Sequence, residues 1–195
     1  DKIEDFDGNI YNTIQIGNQT WMAENLRVTK YRDGATIPNI VPTEDWGLNE
    51  TGAYCIYKNK LSGFPTYGAL YNWHALMDSR KITPEGWHVP TLADWTELKN
   101  FLSLHHPNSI VKPLQSTSGW KDPGNGTDNY GFSALPGGHR SYSSGYYLGF
   151  GTSAHFWSST KSSHNGAFCC RLHYLNSDIL LGLGSHMRNG FAIRC

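Results

Sequence analysis

The stretch Gly166–Tyr174, GAFCCRLHY, reads as a β-strand, and its period of two divides it into unlike faces. Phe168, Cys170, Leu172 and Tyr174 fall on one face; Ala167, Cys169, Arg171 and His173 fall on the other. The first set is the more apolar and is expected to face the core. The second then presents Arg171 and His173 to solvent or to a ligand, with Cys169 in the same surface row. A slip of one residue would exchange the two faces, so this register decides which residues a ligand can meet.

The adjacent cysteines part company in such a strand, and the chain has no Cys-x-x-Cys pair, which argues against redox or metal chemistry there. Four cysteines (Cys55, Cys169, Cys170 and Cys195) allow three complete pairings. Cys195 ends the strand-like segment NGFAIRC, expected to lie close to GAFCCRLHY. One bridge between them is expected, with Cys170 the better partner. Reduced thiols that only pack are the alternative.

The rest of the chain supplies short elements around this strand. NIYNTIQIG, GN and QTWMAEN predict an N-terminal hairpin in which Ile10, Ile14 and Ile16 alternate with polar residues. Prolines and glycines between residues 30 and 66 predict long ordered loops. Gly68–Asp78 has helical spacing at Leu70, Trp73, Leu76 and Met77. A second helix follows Thr91, an N-cap with Asp94 in the capping-box position and Leu92, Trp95, Leu98 and Leu102 on one face. AHFWSST is a further strand in which Trp157 is expected in the core. The expected architecture is α+β in one domain over 1–195: a hairpin in 1–30, two helices in 68–104, and C-terminal strands with the candidate binding surface in 139–195.

Composition narrows the partners. Net charge is zero at pH 7, which gives no bulk electrostatic footing for nucleic acid. From His139 onward the chain holds five of its sixteen Lys and Arg but one of its sixteen acids, Asp178. That part is mildly basic and rich in His, Ser, Gly and Tyr. No segment approaches the length of an apolar membrane span.

YNTIQIGNQTWMAENLRVTKYRDG, YGALYNWHAL, PEGWHVPT, YGFSALPGGHR, FWSST and GFAIRC, in this order, resemble the Fibrobacter succinogenes major paralogous domain family over nearly the whole chain. The resemblance implies a C-type-lectin-like fold: two helices with small antiparallel sheets and long ordered loops. It also implies a surface or secreted protein, often a lipoprotein of Bacteroidetes, with a removed lipid anchor as the one expected link to a membrane. The same fold carries the variable proteins of diversity-generating retroelements, whose mutated Asn codons yield residues such as Tyr, His, Ser and Arg but never Glu, Gln, Lys, Met or Trp. No Glu or Gln occurs here after Gln115, and 141–189 is dense in the reachable set. The family's usual cysteine before GWHVP is absent, so Cys55 is expected to be unbridged and buried.

No constellation suggests catalysis. The resemblance extends to formylglycine-generating enzymes, but their two separated copper-binding cysteines have no counterpart in the adjacent Cys169 and Cys170. No nucleophile elbow is present, and a pair of carboxylates cannot be placed on the basic surface. His74 and His88 are expected to be structural, each with a ring nitrogen on backbone. His105 and His106 precede Pro107 and read as loop. Asp122, Asn125, Asp128 and Asn129 could suit Ca²⁺, but their spacing matches no EF-hand and an Asx-turn loop is favoured. No cofactor is expected.

The expected function is non-catalytic binding of a protein or glycan at the cell surface, with a carbohydrate-binding adhesin as the alternative. The candidate contacts are the polar and aromatic residues of the C-terminal part. Tyr142, Tyr146, Tyr147 and Phe150 precede the first of its strands. His155, His164, Arg171 and His173 come from the strands themselves. Asn176, Asp178, Leu180 and Leu181 follow them, the last three in DILLGLG, which reads as a Gly-flanked loop, and His186 and Arg188 precede the terminal segment. Tyr and Arg offer large, directional contacts at low entropic cost.

Overall fold

A computed structural model of the chain describes residues 1–195 apart from the Leu183 side chain. It is a mixed α+β structure with few helices. The first sheet is antiparallel, β1 (Lys2–Glu4), β2 (Ile10–Ile16) and β3 (Gln19–Met22), in that order. Its hairpin turns at Gly17, whose φ of +60° suits glycine. The predicted hairpin stands, with Ile16 buried. Ile10 is exposed and Ile14 half-buried, while Tyr11 is buried and its hydroxyl donates to Asp5.

The loops between 30 and 66 contain α1 (Thr43–Leu48), β4 (Tyr54–Cys55), two short 3-10 turns, and the start of α2 (Phe64–Tyr67). The helix expected over Gly68–Asp78 is instead a short strand, β5 (Leu70–Tyr71), and a short helix, α3 (Trp73–Met77). Asn72 separates them, because its side-chain oxygen accepts the Ala75 amide and starts the helix late. The second helix, α4 (Leu92–His105), is as expected. Thr91 and Asp94 form the full capping box, and Trp95, Leu98 and Leu102 are buried. His105 closes this helix rather than standing in a loop, its Nδ1 2.8 Å from the Phe101 carbonyl.

The central sheet has five strands in the order β10 (Leu180–His186), β9 (Gly166–His173), β8 (Ser153–Ser163), β6 (Gly137–Arg140) and β7 (Tyr147–Phe150). β10 was expected to be a loop. It joins the sheet through a bulge between Leu180 and Leu183, where Gly182 takes a φ of +80°. The terminal segment GFAIRC is not a regular strand. It is tied down by single bridges, Tyr71 to Phe191 and Phe156 to Ala192. The two ends of the chain meet there, since Met22 donates to the Cys195 carbonyl at 2.7 Å and Leu26 to the Ile193 carbonyl at 2.9 Å, without sharing a sheet.

Two apolar cores lie on opposite faces of β8 and β9. One gathers Tyr11, Leu26, Tyr71, Trp73, Trp157, Cys169 and Ile193; the other gathers Trp21, Trp95, Leu98, Phe156, Cys170 and Leu172. Both faces of β9 are therefore covered for most of its length. This corrects the surface position expected of Cys169, which is 3 % exposed. The alternation itself holds. The face written off to solvent is roofed by the terminal segment and α3 up to Cys169, and opens only at Arg171 and His173. The expected bridge is absent: Cys170 and Cys195 are buried thiols in different cores. Cys55 is buried and unbridged, as expected.

Indole N–H groups connect the layers. Trp157 donates to the Tyr71 carbonyl at 2.7 Å, Trp73 to Ser158 at 3.0 Å and Trp95 to Trp157 at 3.3 Å. Two buried arginines do the same for loops. Arg140 donates to the carbonyls of Gly145, Ile40, Val41 and Pro42. Arg194 donates to Asn25 and to the carbonyls of Met22, Ala23 and Phe132.

Candidate functional site

Cross-strand register places the polar side chains. His155 on β8 is the direct partner of Arg171 on β9, and Ser153 of His173. These four share the face that opens beyond Cys169. β6 runs parallel to β8 at Gly138 and Ala154, which brings His139 beside them, with its ring centroid 4.4 Å from that of His155. Asn189 and Phe191 of the terminal segment complete the wall of a cleft of about 300 Å³.

The cleft holds polar atoms without protein partners. Nδ1 of His139, Nδ1 of His155 and Nε of Arg171 are all buried and make no hydrogen bond. Among the described residues Arg171 forms no ion pair. The single acid of the C-terminal part, Asp178, is spent on Lys99 at 2.8 Å. Burial, and then the Arg171 charge, push the His139 imidazole down to about 4. Burial, His139 and Arg171 hold His155 well below its ordinary value, and burial and Arg171 lower His173. At neutral pH the cleft is thus a single guanidinium among neutral imidazoles. Such a set of directed donors and acceptors can hold a polar ligand.

The rim is aromatic. Tyr142 stacks on His186 with centroids 3.9 Å apart and planes at 10°, and the Tyr142 amide donates to Asn189 Oδ1 at 3.0 Å. Of the fourteen sequence candidates, His155, Arg171 and His173 line the cleft, and Tyr142 and His186 adjoin it. His155 is buried and not the exposed imidazole expected. Tyr146 and Phe150 are exposed on the edge strand side, and Phe150 borders a second groove of about 340 Å³ with Tyr57, Tyr67, Lys58 and Lys60. Tyr147 is packed against Tyr57 and lies under Arg140, with its hydroxyl donating to Asn59 at 3.1 Å. Leu180 and Leu181 are half-buried in β10. His164 and Asp178 are exposed, Asn176 and Arg188 half-exposed, and none of them lines the cleft.

Sequence reasoning left His139, Ser153 and Asn189 out of the site. His139 carries no signal of this in the sequence, because its place beside His155 comes from the parallel pairing of β6 with β8. His88 does not bond to backbone. It is exposed, with Nε2 3.2 Å from Asp94 Oδ2, and His74 is half-buried with no hydrogen bond. The loop at 121–131 is built by Asx contacts: Asn125 accepts from the Trp120 amide at 3.1 Å and Asp128 from the Ser133 amide at 2.7 Å. No group of three or more His, Cys, Asp or Glu side chains could hold a metal among the described residues.

No curated protein and no solved structure matches the chain. The family model of the Fibrobacter succinogenes major domain matches residues 14–195. That span takes in nearly all of the landmark strings, the capped helix after GWHVPT and the terminal segment that closes the cleft, and the chain therefore belongs to the Fibrobacter succinogenes major domain family.

Proposed function

We propose that this domain is a non-catalytic ligand-binding module displayed outside the cell on a C-type-lectin-like scaffold, and that the cleft between β6, β8 and β9 seats the ligand. The observation that carries this reading is Arg171. Arg140 and Arg194 have their donors met by protein oxygens, whereas the Arg171 guanidinium faces the cleft with a buried Nε that nothing among the described residues meets. A buried unsatisfied donor costs about 1–3 kcal/mol, a cost a ligand can remove. No carboxylate lines the cleft, and burial raises the Cys169 thiol, so no ready thiolate nucleophile stands there.

The retroelement reading concerns how the rim would vary. Tyr142, His186, Arg171 and His173 are all reachable from a mutated Asn codon, and a near-copy template beside the gene would support it. The adhesin reading is favoured by the second groove, where the Tyr57, Phe150 and Tyr67 rings follow one another at 4.9 and 5.0 Å. Glycan and protein arrays probed with the wild type, Arg171→Gln and the remote surface variant Leu104→Ala separate these readings. Binding lost only in Arg171→Gln supports the cleft. Binding kept in that variant but lost on Tyr57→Ala transfers the function to the aromatic groove.

A further inference from the structure

The hydrogen-bond geometry of the cleft restricts the chemistry of its occupant. Ser153 Oγ lies 3.3 Å from the Gly149 carbonyl, to which its hydroxyl donates. With that proton on the carbonyl, the Ser153 oxygen is free to accept from His155 Nε2, which lies 3.2 Å away. That arrangement corresponds to the neutral imidazole protonated on Nε2, with Nδ1 a buried lone pair that has no partner. His155 is 8 % exposed, so this lone pair is desolvated. Directly across the strand pair stands Arg171, a permanent cation whose Nε–H is also unmet. One ligand must therefore bring negative charge to Arg171 and a proton donor to His155.

A fully ionised sulfate or phosphate meets the first demand and violates the second, because its oxygens would face the imidazole lone pair. A neutral polyol meets the second and leaves the guanidinium uncompensated. We propose that the cleft takes a sugar acid, with its planar carboxylate on the Arg171 fork and a neighbouring hydroxyl donating to His155 Nδ1. Carboxylate matches guanidinium geometry, two parallel N–H donors to two oxygens. The orphaned His139 Nδ1 beside His155 suits a second hydroxyl, which can serve as donor or acceptor. A cleft of about 300 Å³ accommodates one pyranose ring. The assignment rests on the cleft being the ligand seat.

The test is calorimetry on the whole chain with four probes: glucuronate, glucose, sulfate, and a short peptide with a free C-terminal carboxylate. Glucuronate is expected to bind about tenfold or more tightly than glucose. Arg171→Gln is expected to lose that preference, and Arg171→Lys to recover part of it without the bidentate geometry. Histidine-selective nitrogen NMR of the wild type supplies a second readout independent of variant folding: glucuronate should shift His155 Nδ1 as a hydrogen bond forms to it. Equal binding of sulfate and glucuronate, or tighter binding of the peptide, overturns the sugar-acid assignment. So does glucuronate failing to bind while an arrayed neutral ligand depends on Arg171, which leaves the cleft as the seat. If no array ligand depends on Arg171, the cleft reading falls as well.

Discussion

His155 and Arg171 are direct antiparallel partners across β8 and β9, a neutral imidazole held beside a guanidinium with no acid between them. Structural pairs in proteins seldom look like this, because a cation set beside a base with its lone pair exposed to it needs something to neutralise it.

The histidines make stability fall in mild acid. In the unfolded chain the imidazoles of His139 and His155 protonate near their ordinary value of 6.5; in the native cleft His139 does so only near 4, and His155 too is held well below its ordinary value. Between those values the unfolded state binds more protons, so stability decreases as pH drops from about 6.5 to about 4, by up to about 1.4 kcal/mol per pH unit for each imidazole. The charged or titratable groups facing them are Arg171 and His173. Thermal melts at pH 7, 5.5 and 4.5 should show falling midpoints, with a smaller fall in Arg171→Gln. A flat profile would contradict the buried neutral pair.

The scaffold arginines should behave unlike Arg171. Arg140→Ala strands four carbonyl acceptors and removes the cation stacked 4.7 Å from the Trp46 ring. A loss of at least about 3 kcal/mol is expected in chemical denaturation. Arg171→Gln should change stability by less than about 1 kcal/mol, or raise it, because an unmet buried donor is removed.

Much of this scaffold is legible in the sequence. The capping box Thr91–Asp94 gives α4 a local start, and the alternation in GAFCCRLHY gives β9 its two faces, so Arg171 and His173 were found together. What escaped was non-local. Whether Cys169 is covered depends on the terminal segment crossing β8, and whether His139 reaches His155 depends on a parallel pairing between strands apart in sequence. Neither leaves a periodic trace. β10 was missed because glycines at 182 and 184 read as loop, whereas they serve a bulged strand.

The glycine before the cleft is a sharper test of geometry than of stability. Gly149 has a φ of +74°, and an added Cβ would sit 2.3 Å from Ser153 Oγ. Gly149→Ala should displace that hydroxyl, release the His155 proton from Nε2, and cost about 1 kcal/mol or more. Imidazole NMR should report mixed tautomers in the variant and one in the wild type.

The cysteines should be inert until the fold opens. Burial raises Cys55 to about 11 and Cys195 to about 12, and holds Cys170 well above its ordinary value. A thiol reagent added to the native protein should find none of these three. After denaturation without reductant they should react promptly. A Cys170–Cys195 bridge would appear as missing thiols in the denatured sample.

The claim that the β6–β8–β9 cleft is the ligand seat is tested most directly by titrating the wild type with the strongest array ligand while recording histidine nitrogen spectra. The account predicts shifts of His139, His155 and His173, none of His88 or His105, and no response in Arg171→Gln. Saturable binding that leaves the three cleft histidines unmoved would contradict it.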